Sequence, residues 1–149
     1  DHRCLSVAET NFNSQENPSI RVFPPGTVVF PKRGASIFLN KIGILSHPAA
    51  LDPNLMALEP ESDFTIPEFI MWFFKGLGLW RFADTTSVPQ LNHKHLKPVL
   101  VPLPSLAEQD GLTVQLSKIA DALANTRQRL ESSKQLADTL LKESLRGAV

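Results

Sequence analysis

The apolar positions of this chain change period near residue 105. Beyond it, Leu116, Ile119, Leu123, Thr126, Leu130, Ser133, Ala137, Leu140 and Ser144 follow alternating steps of three and four. Six of these nine are apolar, which is a coiled-coil seam with polar interruptions. The residues around the seam are Leu, Ala, Gln, Glu, Lys and Arg, all good helix formers. All twelve prolines lie at or before Pro104, and proline is excluded from helix interiors. Ser105-Leu106-Ala107-Glu108 has capping-box spacing, and Pro104 forces an extended approach on Leu103. The pattern predicts one helix from about 105 to Arg146. Gly111 weakens its first turns, so the regular part is expected nearer Leu112. Such a helix is about 60 Å long at 1.5 Å per residue. One small domain cannot cover it, so its seam calls for a second long helix, in a dimer of this chain or in a partner.

The first 104 residues alternate differently and predict mixed α and β structure. The fold class is therefore α+β: a small head over 1–104, then a long helix over 105–149. Ile20 to Phe23 and Thr27 to Phe30 predict short strands around a Pro24-Pro25-Gly26 turn. Pro31-Lys32-Arg33-Gly34 predicts a basic turn, and Ile37 to Leu45 a further strand pair. Ile66-Pro67-Glu68 opens a helix with proline in its first turn. That helix is apolar all round from Phe69 to Phe74, so burial is expected. Gly76 and Gly78 loosen it before Trp80 and Phe82. Val99 to Leu103 predicts a last strand, kept to an edge by Pro102. The chain opens on Asp1 with no initiator methionine, so an incomplete N-terminal side of the head is expected.

Composition narrows the function classes. The chain has 149 residues, 42% hydrophobic and 20% charged, the balance of a globular protein. Its formal net charge is zero, so a nucleic-acid reading must rest on where the charges sit. The single cysteine, Cys4, excludes an intramolecular disulfide and agrees with a reducing compartment such as the cytoplasm. Phe69 to Phe74 is the longest apolar run and is too short to span a bilayer, so no membrane partner is expected.

Catalytic and metal chemistry find little support. His93 and His95 would share one face of a strand, but Lys94 and Lys97 beside them repel a cation, so no metal is expected. Nothing around Cys4 would activate its thiol. There is no phosphate loop, dinucleotide fingerprint or nucleophile elbow. Glu59, Glu61 and Asp63 read as a solvated acidic loop. Two basic segments are more suggestive. One holds Lys32, Arg33 and Lys41. The other holds Gln90, Asn92, His93, Lys94, His95 and Lys97. Asn and Gln can read adenine edges, and Arg and Lys can read guanine or hold phosphate. If the two segments meet in space, they form a DNA-facing surface. On composition alone, an ordinary solvated surface is the simpler reading.

A resemblance sharpens the choice. Ser87-Val88-Pro89-Gln90-Leu91-Asn92, then Leu96, then Val101-Pro102-Leu103-Pro104-Ser105-Leu106-Ala107-Glu108-Gln109 closely resembles the specificity subunits of type I restriction-modification systems. In that family a stretch like PQLN and a PLPxLAEQ segment close a target-recognition domain, and a spacer helix follows. Lys142 to Gly147 is similar to the end of such a helix, and Pro25 to Gly34 to the family's strand and glycine-bearing turn. Family members usually carry two such domains and two helices; this chain has one of each.

The resemblance implies sequence-specific recognition of double-stranded DNA without catalysis. Contact candidates are Lys32, Arg33, Gly34, Lys41, Gln90, Asn92, His93, Lys94 and Lys97. Leu116, Ile119, Leu123, Leu130, Ala137 and Leu140 would face a second specificity half or a second copy. No cofactor is expected on this chain. A methyltransferase subunit would carry S-adenosylmethionine, and a restriction subunit would use ATP. The alternative is an oligomerising interaction module, which the neutral charge and the aromatics Trp72 and Trp80 would suit if those rings were exposed.

Overall fold

A computed structural model describes residues 21–85 and 87–146, so Cys4 and Ile20 lie outside the described residues. The chain divides into two compact units, one ending at Thr113 and the other beginning at Val114. The composition changes earlier, at Pro104, because the first two turns of the long helix pack within the first unit.

The first unit is organised by β2, Val28–Pro31, the middle strand of an antiparallel sheet ordered β3-β2-β5. Its neighbours are β3, Gly43–Ile44, and β5, Leu55–Leu58. Because side chains alternate along a strand, β2 feeds two cores. Val28 and Phe30 join Ile70, Met71 and Phe74 of α1, Pro67–Leu77, together with Leu79 and Leu91. Val29 points the other way and packs with Leu45 and Ala49. That second core is covered by a two-stranded ribbon of β1, Val22–Phe23, and β4, Ala49–Ala50. Each fully buried large side chain of this kind stabilises the fold by about 1.5–3 kcal/mol.

Proline in a middle strand is unusual. The Lys32 N–H donates to the Asn54 carbonyl at 2.9 Å, so residues 28, 30 and 32 bond toward β5. Pro31 therefore faces the β3 side, where that short strand has already ended. Its missing N–H leaves nothing unsatisfied.

α1 begins with Pro67 at its first turn, as expected, and ends at Gly78, with φ 85°. A Cβ there would fall inside the Trp80 ring, so both backbone and packing require glycine. The helix is not enclosed on every side: Phe69, Trp72 and Phe73 are only partly buried. Lys75 holds its ammonium 5.1 Å from the centre of the Trp72 ring, and burial lowers its pKa.

Three expectations are corrected. Ile37 to Leu45 is not a strand pair: residues 35–37 form a 3-10 turn and only Gly43–Ile44 is a strand. Val99 to Leu103 belongs to no strand. Val99 and Val101 lean on the main core while Leu100 is 91% exposed, and Pro98, Pro102 and Pro104 offer no donors for a ladder. The long helix α3, Leu106–Arg146, is regular from its first residue despite Gly111.

Two interactions secure that start. Ser105 donates its N–H and hydroxyl to the Glu108 carboxylate, at 2.9 and 2.6 Å. These bonds hold Glu108 below the usual carboxylate range. Gln109, 0% exposed, is satisfied on both sides of its amide. Its oxygen accepts from the Thr65 hydroxyl at 2.9 Å and the Ile66 N–H at 3.2 Å. Its nitrogen donates to the carbonyls of Phe64 and Pro104 at 2.9 and 2.8 Å. The second unit is one helical segment, and residues 125–144 are exposed on every side. No described helix is long and apolar enough to cross a membrane.

Replacing Gln109 by Leu keeps the volume but strands buried donors and acceptors. We expect roughly 3 kcal/mol of lost stability, measured by urea unfolding. A loss under about 0.5 kcal/mol would mean that these bonds do not hold the helix start.

Candidate nucleic-acid interface

The two basic segments meet through the backbone. Arg33 and Gln90 form an antiparallel bridge. The Gly34 N–H donates to the Pro89 carbonyl, and the Leu91 N–H to the Lys32 carbonyl, both at 2.9 Å. Gln90 is paired on its other side with Asp84, through bonds of 2.8 and 2.9 Å in the two directions. Leu91 is fully buried in the main core and pins this ladder to the head. Gly34, with φ 76° and ψ −172°, adopts a conformation that a side chain would strain, and this turn delivers its N–H to Pro89. Lys32, Arg33 and Gly34 of the first basic segment thus lie beside Gln90 of the second.

Beyond the ladder, α2, His93–Leu96, follows Asn92, whose N–H donates to His95 Nδ1 at 3.3 Å. His93 and His95 therefore do not share a strand face. Two helical residues lie roughly 200° apart, on opposite sides. Lys94 and Lys97 are three apart and lie on one side. With His93 and Leu96 they border a groove of about 590 Å³ floored by Met56, Ala57 and Leu58 of β5.

Lys41 is reached by a second tie. Asn40 takes a left-handed backbone, φ 50°. Its side-chain nitrogen donates to the Lys75 carbonyl at 2.9 Å, and its oxygen accepts the Leu79 N–H at 3.0 Å. The loop from Gly34 to Asn40 is thus held at both ends, by Pro89 and by the last turn of α1 with Leu79 after it. Around these ties the surface carries residues that sequence reasoning missed. Phe38 is 51% exposed, Leu39 64% and Trp80 43%, and Arg81 is exposed beside Trp80. Phe38 and Leu39 were hidden in an expected strand pair. The available signal was Asn40, a residue that tolerates a left-handed turn, directly before Lys41.

Charge is segregated here. Segments 32–41 and 79–97 hold six Lys and Arg side chains and one carboxylate, Asp84. The acidic side chains Glu59, Glu61 and Asp63 lie on another segment and are exposed, with Glu59 paired to Arg21. A chain of zero net charge therefore carries two cation-rich segments that the Arg33–Gln90 bridge joins through the backbone. On α3, Leu116, Ile119, Leu123, Leu130 and Leu140 are exposed, as is Ala137, so the seam is uncovered within this chain.

Fold and surface describe a small α+β head in which two cation-rich segments join at Arg33 and Gln90, followed by a long helix with exposed apolar seam residues. No family model matches the chain. It is 26% identical over 144 residues to the type I restriction enzyme MjaIX specificity subunit of Methanocaldococcus jannaschii. That match covers 93% of this chain and 32% of the relative, so the chain spans about a third of the relative's length. Its fold is similar to a chain in a solved structure of a type I restriction-modification system, one described for its complex assembly and conformational transition. There the TM-score is 0.59 at 21% identity, over 70% of this chain and 25% of the other. The resemblance read from the PLPxLAEQ segment is thus supported by an alignment to one type I specificity subunit along nearly the whole chain.

Asn40→Gly keeps the backbone conformation and removes both side-chain bonds. It should cost about 1–2 kcal/mol in urea unfolding. Asn40→Ala adds backbone strain and should cost more. Equal stability of both variants and wild type would show that the loop does not depend on this tie.

Proposed function

We propose that this chain is a DNA-recognition part of a type I specificity subunit, with the head reading duplex DNA and α3 acting as the spacer. The observation that carries this reading is the ladder joining Lys32–Gly34 to Pro89–Leu91, which sets Lys32 and Arg33 beside Gln90 from far along the chain. Lys94 and Lys97 suit phosphate contacts, while Arg33, Gln90 and Asn92 have the donor and acceptor pattern for base edges. His93 and Lys41 are further contact candidates, and Gly34 sets the backbone of the turn beside Pro89.

The role is one of recognition. Methyl transfer from S-adenosylmethionine and ATP-driven cleavage belong, in this reading, to separate methyltransferase and restriction subunits of a cytoplasmic complex. The exposed seam of α3 pairs with a second specificity half or a second copy, and a rigid helix then spaces two recognition heads. The rival reading, a protein-interaction module, draws on that same seam, and salt separates the two.

Binding to fluorescent duplexes should weaken steeply with salt as condensed counterions are released. Lys94→Ala should weaken binding to all sequences alike and lower the salt slope by about one. Asn92→Ala should relax one base position, by roughly 1–3 kcal/mol. Salt-independent binding, or no effect of either change, would remove the assigned face. Replacing both Leu123 and Leu130 by Asp should convert a dimer to a monomer in light scattering. A wild-type chain that is monomeric at high micromolar concentration, with or without a second specificity half, would end the helix-pairing part.

A further inference from the structure

We infer that Phe38 and Leu39 act as an apolar wedge that enters between stacked base pairs and deforms the duplex where the head binds. This rests on the DNA-recognition reading and adds to it a residue class and a mode of readout.

The loop between Gly34 and Asn40 is short and closed. Ile37 is buried in the main core and anchors its middle. The Gly34 N–H is bonded to Pro89, and the Asn40 side chain to Lys75 and Leu79. The backbone is thus committed before any partner arrives, so little ordering remains to oppose binding. Directly after the anchor, two large apolar side chains point into solvent, Phe38 at 51% and Leu39 at 64% exposure. A fixed loop that presents a Phe-Leu pair to water leaves apolar area available for a partner.

The identity of that partner follows from the flanks. Lys32 and Arg33 precede the loop, Lys41 follows it, and no acidic residue lies between 32 and 41. Arg81 and Trp80 are brought beside it through the Asn40–Leu79 bond. A cationic frame around an apolar tip suits duplex DNA: phosphates meet the cations, and the tip occupies an opened base step. Side chains such as Phe and Leu are used in this way, and pyrimidine–purine steps open most readily. The tip is also continuous with the Arg33–Gln90 bridge, so base-edge contacts and the deformation fall on one stretch of DNA. An acidic protein surface is the competing occupant, and the test below distinguishes it.

The experiment uses duplexes that the whole chain selects from a random-sequence pool, carrying 2-aminopurine at successive positions. With wild-type protein, fluorescence should rise at one step as its stacking is lost. The Phe38→Ala, Leu39→Ala double variant should lose that rise and bind roughly tenfold more weakly, the order expected for withheld apolar burial. Its salt slope should be unchanged, because no phosphate contact is removed. Phe38→Met should retain most of the signal. Both side chains are exposed, so the urea midpoint should not move, which separates the effect from misfolding. Trp80 is left intact because its ring packs on Gly78. Wild-type binding with no rise at any position would overturn the wedge and leave the recognition reading standing. Failure of wild type to bind any duplex would overturn both. If the double variant binds DNA as wild type does but loses self-association, the tip covers protein and the wedge is wrong.

Discussion

A primary amide with no exposed surface must find partners for both its donors and its acceptor, or it costs the fold several times what one ordinary hydrogen bond contributes. Gln109 meets that demand by drawing three segments to one point. Its oxygen takes Thr65 and the Ile66 N–H, and Ile66 precedes the first residue of α1. Its nitrogen takes Phe64 and Pro104. The start of α1, the end of the proline-rich strap and the second turn of α3 are therefore fixed by one side chain. Shape alone would not do this, because apolar packing tolerates small slips in register while hydrogen bonds of 2.8–3.2 Å do not. The Ser105–Glu108 box adds a local stop to the same helix end, so Leu106 begins α3 without fraying.

The region around the Arg33–Gln90 bridge is built on the same plan, with backbone bonds that leave side chains exposed. Lys32, Arg33 and Gly34 use their main-chain groups to pair with Asn54, Pro89, Gln90 and Leu91. The structural work is thus carried by peptide groups, and the guanidinium and ammonium groups remain available for a ligand. Asn40 does the reverse: its side chain serves the fold, and its neighbours Phe38, Leu39 and Lys41 face outward. Such a division permits variation in what is read without disturbing the scaffold that holds it.

Net charge conceals this arrangement. Segments 32–41 and 79–97 hold six of the fifteen basic residues and one acidic residue, Asp84, while Glu59, Glu61 and Asp63 lie on a separate acidic stretch. Association with a polyanion depends on the local field within about 8–10 Å, the screening length in ordinary salt, so a neutral total is no obstacle. The long helix follows a different economy. Its exposed leucines contribute little to a lone chain, and in the proposed pairing they would be buried against a second helix. This is the behaviour expected of a spacer in the assembly proposed.

The sequence by itself determined the local features. Proline distribution and the three-four spacing located α3 and its end at Arg146, Ser105 and Glu108 marked its cap, Pro67 marked the start of α1, and the Val-Val-Phe run marked β2. Each depends only on neighbours within a few residues, where propensity and periodicity act. The PLPxLAEQ segment likewise pointed to the kind of protein that the alignment then matched. Tertiary structure alone decided the rest. Arg33 lies beside Gln90 because a ladder closes across more than fifty residues of chain, and no local preference encodes that pairing. His93 and His95 belong to a short helix, and four residues are too few for periodicity to separate helix from strand. Val99 to Leu103 reads as a strand by composition, but a strand requires a neighbour to bond with, and three prolines beside two core-facing valines withheld one. The burial of Gln109 and the exposure of Phe38 and Leu39 invert the usual preferences of their residue types. Such inversions arise from what other segments bring to a position, and a linear reading has no access to that.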